Sequence, residues 1–203
     1  MGLCGHPSFN KAAKYFGIRV VIAPLDPVTL EVDVDAVESL ITSNTVCIIG
    51  SACCWPHGVV DPIRKLGQIA LKHNIGLHVD SCLGGFVIAF SEAVGQPIEY
   101  DYRIPGVTSI SCDNHKYGLA PKGVSTITFK NKALRKYCYF AIHTWPGGLY
   151  ATVTLKGSWS AAPIVGAWIQ HLQIGKEGYI QRAKDIILAA RHLKEGINKI
   201  KEL

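Results

Sequence analysis

Short apolar runs alternate along this chain with segments whose apolar residues recur at helical spacing. The runs rich in β-branched residues predict strands at 18–23, 46–51, 75–80, 107–112 and 124–129. The helical pattern predicts helices at 6–17, 33–43, 61–73, 132–140, 162–173 and 179–200, with a short segment at 83–91. Strands that alternate with helices predict an α/β fold, in which helices cover a mostly parallel sheet.

One stretch of the sequence, SISCDNHKYGLAPKG at 109–123, holds a lysine between two of the predicted strands. If Lys116 is held there between buried strands, we expect desolvation to lower the pKa of its amine. Such an amine is a nucleophile toward carbonyl carbon. An ordinary loop lysine would give the same local pattern, so the stretch alone leaves both interpretations open.

A carboxylate ends another predicted strand, since Asp80 is the last residue of IGLHVD at 75–80. Ligands of open α/β sheets bind beyond the carboxyl ends of parallel strands, so we expect Asp80 and Lys116 at one edge of the sheet. Pyridoxal phosphate requires this pair, because the lysine carries the aldehyde as a Schiff base and the carboxylate keeps the pyridine nitrogen protonated. Asp80 is also a good N-cap for the segment that follows, and the two roles are compatible.

Composition narrows the class of protein. The chain has 203 residues, of which 48% are hydrophobic and 18% are charged, which is enough for one core. The net charge of +6 is dispersed rather than gathered in a stripe with aromatic residues, so nucleic-acid binding is disfavoured. The seven cysteines form no CxxC pair, and their spacing with histidine predicts no metal site. No apolar run reaches the roughly 18 residues that span a bilayer, so we expect the chain to be soluble or only peripherally attached to a membrane.

Four motifs, in order and at similar spacing, resemble the sphingosine-1-phosphate lyases. They are WPHGVVDP at 55–62, HVDSCLGGF at 78–86, VTSISCDNHKYGLAPKG at 107–123 and TWPGGLYA at 144–151. These lyases are pyridoxal-phosphate enzymes with the aspartate aminotransferase fold (fold type I), in the decarboxylase-like group. The resemblance implies cleavage of a phosphorylated sphingoid base to a long-chain aldehyde and phosphoethanolamine. It also implies a homodimer on the cytosolic face of the endoplasmic reticulum membrane for the full-length form.

The resemblance also implies which residues bind the cofactor. Lys116 would bind it covalently, and Asp80 would pair with the ring nitrogen. His6, in CGHPSFNKAA, matches a histidine that stacks on the cofactor ring, and His115 matches one that points toward the cofactor phosphate. From the residues alone, His6 reads as a histidine at a helix start and His115 as a loop histidine.

Two further residues are implied as substrate ligands. Lys122, in APKG, matches a second family lysine near bound phosphate, and Tyr150, in GGLYA, matches a residue lining the substrate phosphate pocket. An exposed turn lysine is an equally good local interpretation of Lys122. The general base that removes the hydroxyl proton stays open between His6, His115 and the cofactor phosphate.

The sequence departs from the family pattern at four positions. Ser81 stands where alanine packs under the ring, and Asn114 stands where threonine is common. Ala52 lacks a hydroxyl that the family places near the ring. Trp159, in GSWSA, replaces an arginine, so it supplies no cation.

The resemblance also sets expected domain boundaries. Residues 1–160 would be the central part of the cofactor-binding large domain, and residues 161–203 would be helices leading toward a C-terminal small domain. Family members have a phosphate-binding glycine-rich loop before the position of His6 and a small domain after the long helix, so this chain would be an incomplete, central fragment. Two other functions stay open: an amino-acid decarboxylase, and a truncated, non-catalytic homologue.

Overall fold

The computed structural model describes residues 1–200, and a four-stranded sheet forms the centre of this described part. The strands are β1 (Cys47–Ser51), β2 (Gly76–Asp80), β3 (Ser109–Cys112) and β4 (Thr126–Phe129), side by side in that order. The first three are parallel and β4 is antiparallel to β3. The predicted α/β fold with a mostly parallel sheet is therefore confirmed. Residues 201–203, the end of the predicted 161–203 segment, lie outside the described part.

Helices join and cover these strands. In chain order they are α1 (Ser8–Phe16), α2 (Val34–Ser39), α3 (Ile63–Lys72), α4 (Gly85–Ile88), α5 (Lys132–Arg135) and α6 (Ala162–Ile197). Single 3-10 turns lie at Ser91–Val94 and Lys136–Cys138. A separate hairpin of β5 (Phe140–Ile142) and β6 (Tyr150–Thr152) precedes α6.

The hydrophobic core lies between α3 and one face of the sheet. Leu66 on α3 and Leu77 and Val79 on β2 are completely buried. Side chains of a strand alternate between its two faces, so His78 and Asp80 project from the opposite face of β2. The sheet therefore has an apolar side under α3 and a polar side, and the polar side bears the candidate site.

Several predicted elements differ in extent from those observed. The segment 18–23 is not a strand; only Ala23 forms a bridge, with Gly2, and Ile18 is 56% exposed. Apolar β-branched residues make a strand only where a neighbouring strand pairs with them. The helix predicted at 132–140 ends at Arg135, where the 3-10 turn Lys136–Cys138 follows and leads into β5 at Phe140.

The last two predicted helices form the two arms of α6. Its backbone leaves the helical conformation at Gly175, where φ is 63° and ψ is 176°. This left-handed φ favours glycine, which has no Cβ to clash. The predicted gap between 173 and 179 is therefore a break inside one long element.

Candidate functional site

A cleft of about 530 Å³ opens on the polar side of the sheet, at the carboxyl ends of β2 and β3. Its walls come from the start of α1, from the two strands, from the loop after β3 and from β4. The lining residues are His6, Ser8, Phe9, His78, Asp80, Cys82, Ser111, Asp113, Lys116 and Ile127. Asp80 and Lys116, predicted from separate strands, therefore share one cavity.

The floor of the cleft is a set of polar side chains on two paired strands. The parallel register sets His78 opposite Ser109 and Asp80 opposite Ser111. The imidazole of His78 lies 2.8 Å from the hydroxyl of Ser109 through Nδ1 and 3.1 Å from that of Ser111 through Nε2. Ser111 in turn donates to Oδ1 of Asp80 at 3.0 Å. A continuous hydrogen-bond chain thus runs from Ser109 to Asp80.

This chain fixes the protonation of His78. Ser111 uses its hydroxyl proton on Asp80, so it accepts from the Nε2–H of His78, and the Nδ1 of His78 accepts from Ser109. Burial lowers the pKa of His78, and the nearby Asp80 carboxylate only partly counters this. A neutral imidazole with its proton on Nε2 satisfies every partner.

Asp80 is held as an acceptor at the end of β2. It is 6% exposed, and Oδ1 also accepts the backbone N–H of Cys82 at 3.1 Å. The two donors on Oδ1 orient the Asp80 side chain. A buried, oriented carboxylate can hold a proton on a nitrogen base placed in the cleft.

The amine of Lys116 makes an ion pair in this cleft. Its Nζ lies 2.9 Å from Oδ2 of Asp113 and 3.3 Å from Sγ of Cys82, with 30% of the side chain exposed. Burial alone would lower the pKa of Lys116, but the bonds to Asp113 and Cys82 outweigh it and raise the pKa above its ordinary value. The expectation of a lowered pKa is therefore wrong, because the sequence argument omitted the carboxylate three residues earlier.

The start of α1 forms the opposite wall of the cleft. Nδ1 of His6 lies 2.8 Å from the hydroxyl of Ser8, and the His6 residue itself is exposed. Phe9 meets the His78 ring edge-on, with ring centroids 5.7 Å apart. His6, the third predicted cofactor residue, thus joins Asp80 and Lys116 in the lining.

Three other predicted site residues lie outside the lining. His115 turns its Nδ1 to the backbone oxygen of Val124, at 2.7 Å. Lys122 is exposed in the turn after Pro121. Tyr150 lies on the β5–β6 hairpin, where its ring packs against Phe140. Their predicted roles at phosphate groups stay predictions.

The structure shows the contacts of two residues that depart from the family pattern, Ser81 and Trp159. Ser81 is fully buried and donates its hydroxyl to the backbone oxygen of Ala52 at 2.7 Å. The strand alternation therefore turns Ser81 away from the cleft, and Cys82 lines it instead. Trp159 is exposed and donates its indole N–H to Thr154, while the Lys156 amine lies 4.7 Å from the centre of its ring.

Sequence reasoning missed five polar residues of the lining: Ser8, His78, Cys82, Ser111 and Asp113. The signal for two of them was present. His78 and Asp80 share one face of a strand at positions i and i+2, and Ser109 and Ser111 do the same on the next strand. Strand pairing was required to show that these two faces meet.

Within residues 1–200, no helix is long and apolar enough to cross a bilayer.

The chain matches known proteins along its whole length. A family model described as the pyridoxal-dependent decarboxylase conserved domain matches residues 3–203. A sphingosine-1-phosphate lyase of Arabidopsis thaliana is 46% identical over 200 residues, which is 98% of this chain and 37% of the plant protein. Sphingosine-1-phosphate lyase 1 of Rattus norvegicus is 44% identical over 200 residues, or 98% of this chain and 35% of the rat protein.

Solved structures have the same fold. A sphingosine-1-phosphate lyase from Burkholderia pseudomallei superposes with a TM-score of 0.96 at 43% identity, covering 99% of this chain and 46% of that one. A glutamate decarboxylase from Lactobacillus brevis superposes with a TM-score of 0.85 at 25% identity, covering 98% of this chain and 46% of that one. This chain thus spans little more than a third of the curated relatives' length.

Proposed function

Because the chain belongs to the pyridoxal-dependent decarboxylase family, we propose that it is the central part of a lyase that cleaves phosphorylated sphingoid bases. The products would be a long-chain aldehyde and phosphoethanolamine. The family and the lyase relatives imply pyridoxal 5′-phosphate as the cofactor. One observation supports the proposal most strongly: the Lys116 amine and the buried Asp80 carboxylate line the same cleft.

The residues of the cleft fit this cofactor. Lys116 supplies an amine for its aldehyde carbon, and Asp80, with two donors on Oδ1, supplies an oriented anion for its ring nitrogen. His6 and Phe9 offer flat rings on the opposite wall. When bound, pyridoxal phosphate supplies a protonated ring that accepts the electron pair released as a substrate carbon–carbon bond breaks.

Side chains of the protein would then release and accept the protons that the reaction moves. Lys116 must lose a proton before it bonds to a carbonyl carbon, and Asp113 opposes that loss by stabilising the ammonium form. Both nitrogens of His78 are engaged within the sheet. His115 lies outside the lining, so His6 is the histidine that we propose as the base for the substrate hydroxyl.

We also propose a homodimer for the full-length form. The β5–β6 hairpin and the first arm of α6 expose large apolar side chains, among them Trp145 at 55%, Leu149 at 74% and Trp168 at 63%. Exposed apolar patches of this kind mark protein–protein interfaces. A second copy of the chain would cover these apolar side chains. Tyr150 lies on the same hairpin.

We also propose the domain boundaries, the phosphate-binding residues and the location that the resemblance implies. Residues 1–160 would be the central part of the cofactor-binding domain, and 161–203 would lead to a C-terminal small domain. Lys122 and Tyr150 would bind the substrate phosphate, His115 would approach the cofactor phosphate, and the full-length protein would act at the endoplasmic reticulum membrane.

A second candidate is an amino-acid decarboxylase on the same scaffold. The likeness to the glutamate decarboxylase favours it. The two reactions break different bonds at the same substrate carbon, so they need the same lysine and carboxylate. Products separate them: long-chain aldehyde from the lyase and carbon dioxide from the decarboxylase.

Cofactor capture by the purified chain tests the proposal. We expect pyridoxal phosphate to give a visible absorption band, and borohydride reduction to leave one added cofactor mass on the peptide that contains Lys116. Lys116→Ala should lose both signals. Lys132→Ala, an exposed lysine at the start of α5, should keep them.

Substrate assays then discriminate between the candidates. A phosphorylated sphingoid base should yield a long-chain aldehyde, and this yield should fall to background in Asp80→Asn. Carbon dioxide release from glutamate would favour the decarboxylase. If the wild type and Lys116→Ala are equally colourless, the chain is a non-catalytic homologue and the proposal is wrong.

A further inference from the structure

The loop that carries Lys116 is attached to helix α6 at two points. The loop closes on itself, because the N–H of Ala120 donates to the backbone oxygen of Asn114 at 2.9 Å. The side-chain nitrogen Nδ2 of Asn114 lies 2.9 Å from Nε2 of His171 on α6. The hydroxyl of Tyr179 on α6 donates to the backbone oxygen of Gly118 at 2.7 Å.

These two attachments are themselves connected. Nδ1 of His171 lies 2.7 Å from the hydroxyl oxygen of Tyr179. Since the Tyr179 proton goes to Gly118 and the Asn114 amide is a donor, His171 accepts at Nε2 and donates from Nδ1. One neutral imidazole therefore completes a chain from Asn114 to Gly118, across the base of the loop.

The break at Gly175 makes this chain possible. His171 and Tyr179 are eight residues apart on opposite sides of the break. In an uninterrupted helix they would be separated by about 12 Å along the axis. The non-helical backbone at Gly175 allows both side chains to reach the same loop.

Ring stacking fixes the two α6 side chains in place. The ring of Phe86 on α4 stacks on His171, with centroids 5.2 Å apart and an interplanar angle of 15°. Phe90 stacks on Tyr179 at 6.0 Å and 4°. Tyr179 is 5% exposed, so its hydroxyl acts in a buried setting.

The loop itself is strained between its attachments. Leu119 has a φ of 59°, a left-handed conformation that costs a residue with a side chain. It lies between Gly118, whose oxygen Tyr179 binds, and Ala120, whose N–H closes the loop. Such a strained backbone persists where the surrounding structure fixes the conformation. In the same loop, the buried Oδ1 of Asn114 has no hydrogen-bond partner among the described residues.

We propose that His171 and Tyr179 are positioning residues for Lys116, which hold its loop so that the amine stays in the cleft that Asp80 also lines. The assignment rests on the proposed function, in which Lys116 is the amine that binds the cofactor. It also explains the departure at Asn114. A threonine hydroxyl is also a donor, but it is one bond closer to the backbone than Nδ2 of Asn114, which lies 2.9 Å from His171.

Tyr179→Phe tests the assignment, because it removes the hydroxyl and keeps the stacked ring. The first measurement needs no cofactor: amide hydrogen exchange at Leu119 and Ala120, whose N–H groups close the loop. We expect exchange to accelerate about fivefold, as for the loss of one hydrogen bond. Tyr137→Phe, at an 80% exposed tyrosine, should exchange like the wild type.

The second measurement counts where pyridoxal phosphate is fixed by borohydride. We expect the ratio of adduct on Lys116 to adduct on the exposed Lys132 to fall severalfold in Tyr179→Phe and to stay constant in Tyr137→Phe. Asn114→Thr should lower the same ratio, because the shorter threonine hydroxyl falls short of Nε2 of His171 and the other attachment is lost. A tyrosine that served only overall stability would leave the ratio unchanged in the folded fraction.

The outcomes are separable. If Tyr179→Phe and Asn114→Thr keep the exchange rates and the lysine ratio of the wild type, the positioning role is wrong. If the β2 amides of Tyr179→Phe also lose protection, that variant is unfolded and Asn114→Thr alone decides. If the wild type fixes no cofactor on Lys116, the proposed function fails, while the exchange rates still decide whether the attachments hold the loop.

Discussion

The carboxylate of Asp113 lies 2.9 Å from the amine of Lys116, three residues further along the loop. The carboxylate has a second partner, since Ser125 donates its hydroxyl to the other oxygen at 2.5 Å. Burial alone would raise the pKa of Asp113, but the bonds from Ser125 and Lys116 hold it below its ordinary value. Without the cofactor, Lys116 is therefore an ammonium ion that is paired with the Asp113 carboxylate.

Asp113→Asn should make Lys116 more reactive. Asparagine keeps an oxygen for Ser125 but removes the charge, so the pKa of Lys116 falls and more of the amine is unprotonated at neutral pH. We expect adduct formation with pyridoxal phosphate at pH 7.5 to accelerate about tenfold for each unit by which the pKa falls. Stopped-flow absorbance measures this rate.

The matched control is Asp26→Asn, at a carboxylate that accepts two backbone N–H groups of its own turn. Its rate should equal that of the wild type. An Asp113→Asn variant with unchanged rate between pH 7 and 9 would show that the ion pair does not control the amine.

Ser111→Ala should destabilise the fold. Ser111 is the only link between the His78 imidazole and the Asp80 carboxylate among the bonds of the described chain. Its loss leaves the buried Asp80 and the half-buried His78 each short of a partner, which costs about 1–3 kcal/mol. Urea denaturation measures the free energy of unfolding. Ser158→Ala, at an exposed position, should change it little, and an equal effect of both substitutions would contradict the prediction.

Stability should fall as the pH is lowered below about 6.5, the ordinary pKa of histidine. Burial lowers the pKa of His78 in the folded state, so the unfolded chain takes up a proton first and gains stability from it. The contribution of His78 is complete above pH 6.5 and is lost as the pH falls toward its lowered pKa. Burial also lowers the pKa of His171, so the titration of this histidine changes the stability in the same direction. Urea denaturation at pH 7.5 and 5.5 should show the loss.

His78→Gln should remove part of this pH dependence, because glutamine does not titrate. His192→Gln, at an exposed histidine of α6, is the matched control and should keep the full dependence. If His78→Gln and the wild type lose the same free energy between the two pH values, the histidine is not the cause.

Leu77→Ala should be among the most damaging core substitutions. Leu77 is completely buried on the apolar side of β2, so its truncation leaves a cavity under α3. The expected loss is about 2–5 kcal/mol in the free energy of unfolding. Leu71→Ala, at a leucine of α3 that is 56% exposed, should cost far less, and comparable losses would mean that the apolar core lies elsewhere.

The fold and the two central site residues could be predicted from local pattern. Asp80 and Lys116 each follow a strand, and the geometry of parallel sheets then places both at one edge. The pattern also predicted a gap between helices at 173–179, which contains the observed break at Gly175. These features depend on residues close together in the sequence, which a pattern can record.

Features that depend on distant partners escaped prediction. The segment 18–23 has the composition of a strand, but a strand also needs a neighbour. The sequence leaves His78 facing either the core or its neighbours in the sheet, and only the register sets it opposite Ser109. The raised pKa of Lys116 depends partly on the distant Cys82 and partly on Asp113, only three residues earlier. The sequence shows that Asp113 is near, but only the folded chain shows that its carboxylate reaches the amine.

The antiparallel strand β4 has a consequence for the order of folding. The β3–β4 pair joins residues such as Cys112 and Thr126, which are near in sequence, whereas β1 reaches β2 only after the whole of α3. Loops that are short close at lower entropic cost, so we expect β3 and β4 to pair in the folding nucleus. The reactive lysine would then take its place early, and the parallel strands would assemble around it.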